Sequence, residues 1–263
     1  MLERITAVEF MAPVATGRTQ PSHLLCEKID GTTVEVIAKF SANCDEGVIN
    51  LARELIAACL AGDLGLPIPE PYLVEISPAF SDIVSDVVRK SKIQASETVA
   101  FGSTFITRQY STWVNGTKIS DAMLPMASAI FAFDAIIQNP DRRDGNANCL
   151  VKGNECRIFD HELCFNHDKI LFWKPPWVLD GLNTMKIPGN HIFRAELQGR
   201  AVDYSSIRGR WRGLSDARLL TYEQATPNEW GAAKTAVKAA LKLIGEARDN
   251  IDGCIKEIER VLT

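Results

Sequence analysis

The sequence predicts an α+β fold in two parts: an antiparallel sheet carrying one helix over residues 1–110, then a mainly helical part over residues 111–263. Three observations predict it. Asp30-Gly31 separates two strand-like runs, a strong hairpin signal. One run with helical periodicity, about Glu46 to Ala61, interrupts the strands. Two long helical stretches, Ser120–Gln138 and Ala232–Leu262, dominate the second part.

The elements follow in order. Ile5–Phe10 reads as a strand, and Pro13 to Pro21 as a turn-rich segment. His23–Ile29 and Thr33–Phe40 form the hairpin. Val48, Leu51, Leu55 and Cys59 mark the buried face of the helix, and Gly62 and Gly65 lie where a C-cap is expected. Leu66-Pro-Ile-Pro-Glu-Pro71 cannot continue a helix and runs extended. Tyr72–Ile76 and Thr98–Thr107 read as strands, and Ser81–Lys92 fits a surface helix. Ser120–Gln138 is so apolar that it must be largely buried. Cys149–Val151 and Arg157–Phe159 are short strands, after which the chain reads as irregular until Ala232.

Composition narrows the function classes. The 263 residues are 46% hydrophobic and 24% charged, which excludes a disordered or collagen-like chain. A formal net charge of −4 gives no global attraction for nucleic acid or anionic membrane. Seven scattered cysteines without a C-x-x-C pair point to unpaired thiols in a reducing cytoplasm. The first residues, MLERITAVEF, lack the apolar run of a signal peptide, and no stretch has membrane-spanning length.

Four features carry chemistry. Asn139-Pro-Asp141-Arg-Arg-Asp144-Gly-Asn146-Ala-Asn148 lies between a buried helix and a strand, with Asp141 and Asn146 five residues apart. Phosphoryl transfer needs a carboxylate to position the attacking hydroxyl and an amide oxygen to hold a metal, and this loop offers both. Asn, Asp and Gly also make ordinary turns. Asp160, in Arg157-Ile-Phe-Asp160-His-Glu162, follows twelve residues after Asn148 and ends an apolar strand, as a second metal ligand would. Lys39 closes the apolar strand Val36-Ile-Ala-Lys39-Phe40, where it can meet nucleotide phosphates or snorkel to solvent. Glu54, on the following helix, is a candidate partner for Lys39, with Glu46 as its competitor. Gly17, Arg18 and Thr19, in the turn after the first strand, offer backbone and side-chain donors to phosphate, although the turn is neither Gly-x-Gly-x-x-Gly nor a P-loop.

These residues, in this order, resemble the HipA-like kinases. Asn139-Pro-Asp-Arg-Arg-Asp-Gly-Asn-Ala-Asn-Cys-Leu-Val followed by Ile158-Phe-Asp-His-Glu is similar to the compact single-domain branch, and more distantly to phosphoinositide-type kinases. The resemblance covers residues 1 to 165. It implies a two-lobed protein-kinase-like fold with ATP and Mg²⁺ between the lobes. Carried over, Asp141 is the catalytic aspartate, Asn146 and Asp160 hold the metal, and Lys39 holds the nucleotide. Thr107 and Gln109 lie in the lobe-joining segment that would read the adenine. Three departures stand out: Asp-His-Glu replaces Asp-Phe-Gly, no His precedes Asp141, and the glycine loop is minimal.

The acceptor implied by the resemblance is a protein Ser/Thr hydroxyl. A small-molecule kinase of the antibiotic-phosphotransferase kind is the alternative enzyme. A catalytically silent, nucleotide-binding partner module is the alternative outside catalysis, and Trp173, Trp177, Trp211 and Trp230 would mark its interface unless they pack in the core. The reading includes room for a regulatory protein partner, and any nucleic-acid contact would run through that partner.

Overall fold

Alternating side chains let the first strands curl into a barrel. The protein is described here by a computed structural model covering residues 2–14, 17–107 and 109–263. Thr16 of the expected phosphate turn and Arg108 of the expected hinge lie outside the described residues.

The first part runs β1 (Arg4–Pro13), β2 (Ser22–Glu27), β3 (Thr33–Lys39), α1 (Val48–Asp63), β4 (Pro71–Glu75), α2 (Pro78–Ile83), α3 (Val87–Gln94) and β5 (Val99–Thr104). The Asp30-Gly31 hairpin forms as expected, with Glu27 opposite Thr33 and the Asp30 carboxylate accepting from Thr32 N–H at 2.9 Å. Leu24, Cys26, Val36, Ala38, Val74 and Ala100 point into a small barrel core.

Two expectations are corrected. The sheet is mixed, because β1 pairs in parallel with β4, Ile5 lying opposite Val74, while the other pairs in the order β1-β2-β3-β5-β4 are antiparallel. That closure hides both strand edges, which otherwise expose unpaired backbone groups. One helix becomes three. Ser77 caps α2 through Phe80 N–H, and Asp86 caps α3 through the N–H groups of Val88 and Arg89. They replace the single helix expected over Ser81–Lys92. Gly102 lets β5 approach β4, since a Cβ there would lie 2.5 Å from Val74 Cγ2.

The second part runs β6 (Ser111–Thr112), α4 (Leu124–Ile136), β7 (Cys149–Lys152), β8 (Glu155–Ile158), α5 (Arg194–Leu197), α6 (Ser205–Arg212), α7 (Asp216–Ala225), α8 (Lys234–Asp249) and α9 (Ile251–Leu262). β6, β7 and β8 form a small sheet. The expected helix over Ala232–Leu262 is two helices, divided where Asn250 takes φ −115° and ψ 24°. The segment read as irregular contains α6 and α7, the latter capped by Ser215.

The larger core joins the two parts. Leu51, Leu55, Ile56 and Leu60 of α1 share it with Phe131 and Phe133 of α4 and with residues of α6 to α9. Trp230 Nε1 donates to Val99 O at 2.9 Å, and Arg218 Nη2 to Asp63 Oδ1 at 2.7 Å. Packing from several sides explains why even Arg53 and Glu54 of α1 are buried. Trp211 and Trp230 are core residues, and Trp173 and Trp177 are half-buried against the same core. The seven cysteines are unpaired. Among the described residues, no helix is long and apolar enough to cross a membrane.

Helix α9 tests how tightly this core is set. A Cβ at Gly253 would lie 2.7 Å from Trp177 O and 2.9 Å from Trp177 Cβ. Gly253→Ala should therefore destabilise the protein by about 1–3 kcal/mol in urea unfolding. Helix propensity alone predicts a gain of about 1 kcal/mol.

Candidate active site

The end of β3 delivers Lys39 into a nest of carboxylates. Its Nζ donates to Glu54 Oε2 at 2.9 Å, to Glu162 Oε2 at 3.0 Å, and to Asp160 Oδ1. Glu54 comes from α1; Asp160 and Glu162 come from the loop after β8. Glu54, not Glu46, is the lysine's partner. Glu46 instead binds Arg53 at 3.0 Å and also pairs with Lys169.

Charge and burial compete at this point. Burial alone would lower the Lys39 pKa, but Asp160, Glu54 and Glu162 together raise it well above its ordinary value. Burial would raise the Glu54 pKa, yet Lys39 and His161 bring it down to about 2. Glu162 goes the other way, raised by burial and by the neighbouring carboxylates. One ammonium thus serves three acids, an imbalance that suits a further cation. Oxygens of Glu54, Asp160 and Glu162 lie within 4.8 Å of one another, and hard oxygen donors are what Mg²⁺ prefers.

Asp141 is half-buried at the end of the helix α4 connection. Its N–H donates to Asn139 Oδ1 at 3.0 Å, and its Oδ2 accepts from Asn148 Nδ2 at 3.2 Å. Asn146 is half-buried in a tight turn with Arg143, whose backbone N–H donates to Asn146 O at 3.1 Å. The structure therefore brings Asn148, not Asn146, into contact with Asp141. Phe159 N–H donates to Asn148 O at 3.2 Å, which joins the Asp141 loop to the Asp160 loop. Asp160 itself adopts φ +64°, an uncommon conformation for a non-glycine residue.

Beneath both loops lies a buried ion pair. Arg142 Nε donates to Asp134 Oδ2 at 2.6 Å, and neither side chain is exposed. Arg142 also donates to Asn148 O, to Phe159 O at 3.4 Å and to His161 Nε2 at 2.7 Å. Asp134 further accepts from Asn139 at 2.7 Å and His191 at 3.0 Å. A mid-helix aspartate and the first arginine of an Arg-Arg pair thus fix the backbone of the site. Burial alone would raise the Asp134 pKa, but Arg142 and His191 hold it well below its ordinary value of 3.8. A depressed carboxylate pKa contributes stability that is present above the unfolded value and lost as pH falls through the folded one. Unfolding free energy should therefore drop between about pH 4 and pH 2, and this part of the drop should vanish in Asp134→Asn. Urea midpoints measured across that range check it.

Among the described residues of the expected phosphate turn, Arg18 reaches the site. Arg18 pairs with Asp45 and lies 4.0 Å from Glu162 Oε1. Gly17 adopts φ +110° in the turn, and Thr19 is buried. Thr107 and Gln109 are exposed between β5 and β6, and Gln109 Oε1 accepts from Lys152 Nζ at 2.6 Å.

Sequence reading assigned no role to Glu162 or Asn148, and it missed Asp134. Only Glu162 left a signal: it is a second acid in the short loop that carries Asp160.

A barrel-borne lysine on a helix glutamate, facing an Asp–Asn loop and a later aspartate, is the plan of a kinase. A family model described as HipA-like kinase matches residues 7–174, and the chain belongs to that family. Among solved structures it is similar to a Helicobacter pylori proinflammatory kinase, CtkA, at 13% identity and TM-score 0.48 with 100% of both chains covered. It is also similar to a MAP kinase, LmaMPK10, from Leishmania major, at 9% identity and TM-score 0.27, covering 97% of this chain and 84% of that one. The open conformation of CtTel1 matches at 12% identity and TM-score 0.36, covering 94% of this chain but 12% of that one. No curated protein sequence matches the chain.

Proposed function

We propose that the protein is an ATP- and Mg²⁺-dependent phosphotransferase that phosphorylates a Ser/Thr hydroxyl of a protein. The observation that carries the reading is the convergence of Lys39, Glu54 and Asp160 beside a loop in which Asn148 holds Asp141.

On this reading Asp141 orients the acceptor hydroxyl and takes its proton. Lys39, fixed by Glu54, holds the α and β phosphates. Asp160 and Asn146 are the metal ligands, and Glu162 is a third oxygen donor within reach of Asp160. Bound Mg²⁺ supplies charge neutralisation for the triphosphate. Arg18 contributes a cation above the phosphates, while Gly17 and Thr19 shape its turn. Thr107 and Gln109 border the adenine. Such catalysis is mostly positioning and electrostatics.

A protein acceptor is supported by the segment that follows the Asp160 loop. Ile170, Leu171 and Phe172 are 50%, 80% and 90% exposed, an apolar surface of little use to a polar small molecule. The unpaired cysteines fit a reducing compartment such as the cytoplasm.

Incubation with ATP labelled on the γ-phosphate, offered a protein mixture and a panel of aminoglycosides, tests the acceptor. Label recovered as phosphoserine or phosphothreonine, absent with Asp141→Ala, is the expected result. Label on the aminoglycosides alone would move the protein to the small-molecule class.

A further inference from the structure

His161 is fully buried between the ion pair and the lysine site. Arg142 Nη2 lies 2.7 Å from His161 Nε2, and a guanidinium can only donate. Nε2 must therefore be the accepting nitrogen, so the proton of the neutral ring sits on Nδ1. That Nδ1 has no hydrogen-bond partner among the described residues, and it lies 3.7 Å from Glu54 Oε1. The other Glu54 oxygen, Oε2, accepts from the His161 backbone N–H at 2.7 Å and from Lys39. His191 offers the opposite case in the same network. Its Nδ1 accepts from Phe193 N–H at 3.1 Å, and its Nε2 donates to Asp134.

We propose that His161 is a positioning residue: Arg142 locks it in the Nδ1–H form, whose N–H faces Glu54 Oε1 from 3.7 Å, beyond hydrogen-bond length, and by its dipole steadies the glutamate that orients Lys39. The chain Asp134–Arg142–His161–Glu54–Lys39 then connects the backbone clamp of the Asp141 loop to the nucleotide lysine. The histidine between Asp160 and Glu162, a departure from the usual Asp-Phe-Gly, gains a chemical purpose. A phenylalanine side chain there could neither accept from Arg142 nor donate to Glu54, which would keep only the backbone N–H of that position and Lys39. The kinetic consequence rests on the nucleotide reading of Lys39; the tautomer does not.

Two measurements test it. The chain has four histidines, so ¹⁵N and ¹³C ring shifts in histidine-labelled protein are tractable, with His161 assigned by its loss in His161→Gln. His161 should report Nδ1–H and His191 Nε2–H in one spectrum. His161 observed as Nε2–H, or as an averaging mixture, overturns the proposal whatever the enzyme does. The second measurement separates the two ring nitrogens by substitution. His161→Gln keeps an acceptor for Arg142 near the Nε2 position but places no side-chain donor at the Nδ1 position that faces Glu54. His161→Asn keeps a donor near the Nδ1 position. The KM for ATP should rise about tenfold or more in His161→Gln, with a smaller change in kcat, and should be largely rescued in His161→Asn. Equal losses in both variants would indicate mere packing and overturn the role. If the tautomers are as stated but the wild type neither binds nor uses ATP, the nucleotide reading itself fails, and the positioning role with it.

Discussion

Asp141→Ala is expected to lower phosphate transfer by about 10²- to 10⁴-fold, the usual contribution of a positioned general base. ATP affinity should stay close to that of the wild type. The two effects separate because Asp141 and Lys39 belong to different halves of the site. Asp141 is fixed by Asn139 and Asn148, whereas Lys39 is held by Glu54, Asp160 and Glu162. Removing its carboxylate frees the Asn148 amide, which still reaches Asp141 O at 3.4 Å, so the loop should keep its shape. Single-turnover kinetics with calorimetry of ATP binding checks both halves. Unchanged turnover would remove Asp141 from the chemistry, and lost ATP affinity would mean that the loop holds the nucleotide.

Arg142→Ala is expected to cost about 3–5 kcal/mol of stability, because it leaves the Asp134 carboxylate buried without its cation. Whole domains are stable by only about 5–15 kcal/mol, so the variant should be marginal at best. Asp134 retains His191 and Asn139, which limits the loss without replacing the charge. Asp134→Ala should cost a similar amount by stranding Arg142. The double variant should lose less than the sum of the two, since neither charge is then left alone. Urea unfolding of the three variants measures the coupling. Simple additivity would mean that the pair contributes no mutual stabilisation.

Local signals made much of this fold legible. Asp30-Gly31 announced the hairpin, an apolar strand led to Lys39 at its end, and helical spacing found α1 within two residues at each end. Glu54 could be named as a partner for Lys39 because strand and helix adjoin in sequence. Non-local pairing was illegible. Nothing in Ile5 or Val74 says that β1 and β4 run side by side, and their closure turned an expected antiparallel sheet into a barrel. The short helices α6 and α7 carried too few turns to show a period. Polar pairing across the fold was equally hidden. Arg142 sits in the Asp141 loop, yet it enters the core to meet Asp134, eight residues back on α4. Asn148 could be matched to a pattern but given no partner until the loop was seen to fold back on Asp141.

On the proposed reading, Lys39 and Asp160 centre a metal-dependent nucleotide site. Calorimetric titration of ATP into wild type and Asp160→Ala, each with and without Mg²⁺, tests it most directly. The expected result is binding in wild type that requires Mg²⁺ and disappears in Asp160→Ala. Absence of ATP binding by the wild type, or binding indifferent to both the metal and Asp160, would contradict it and leave the partner-module reading in its place.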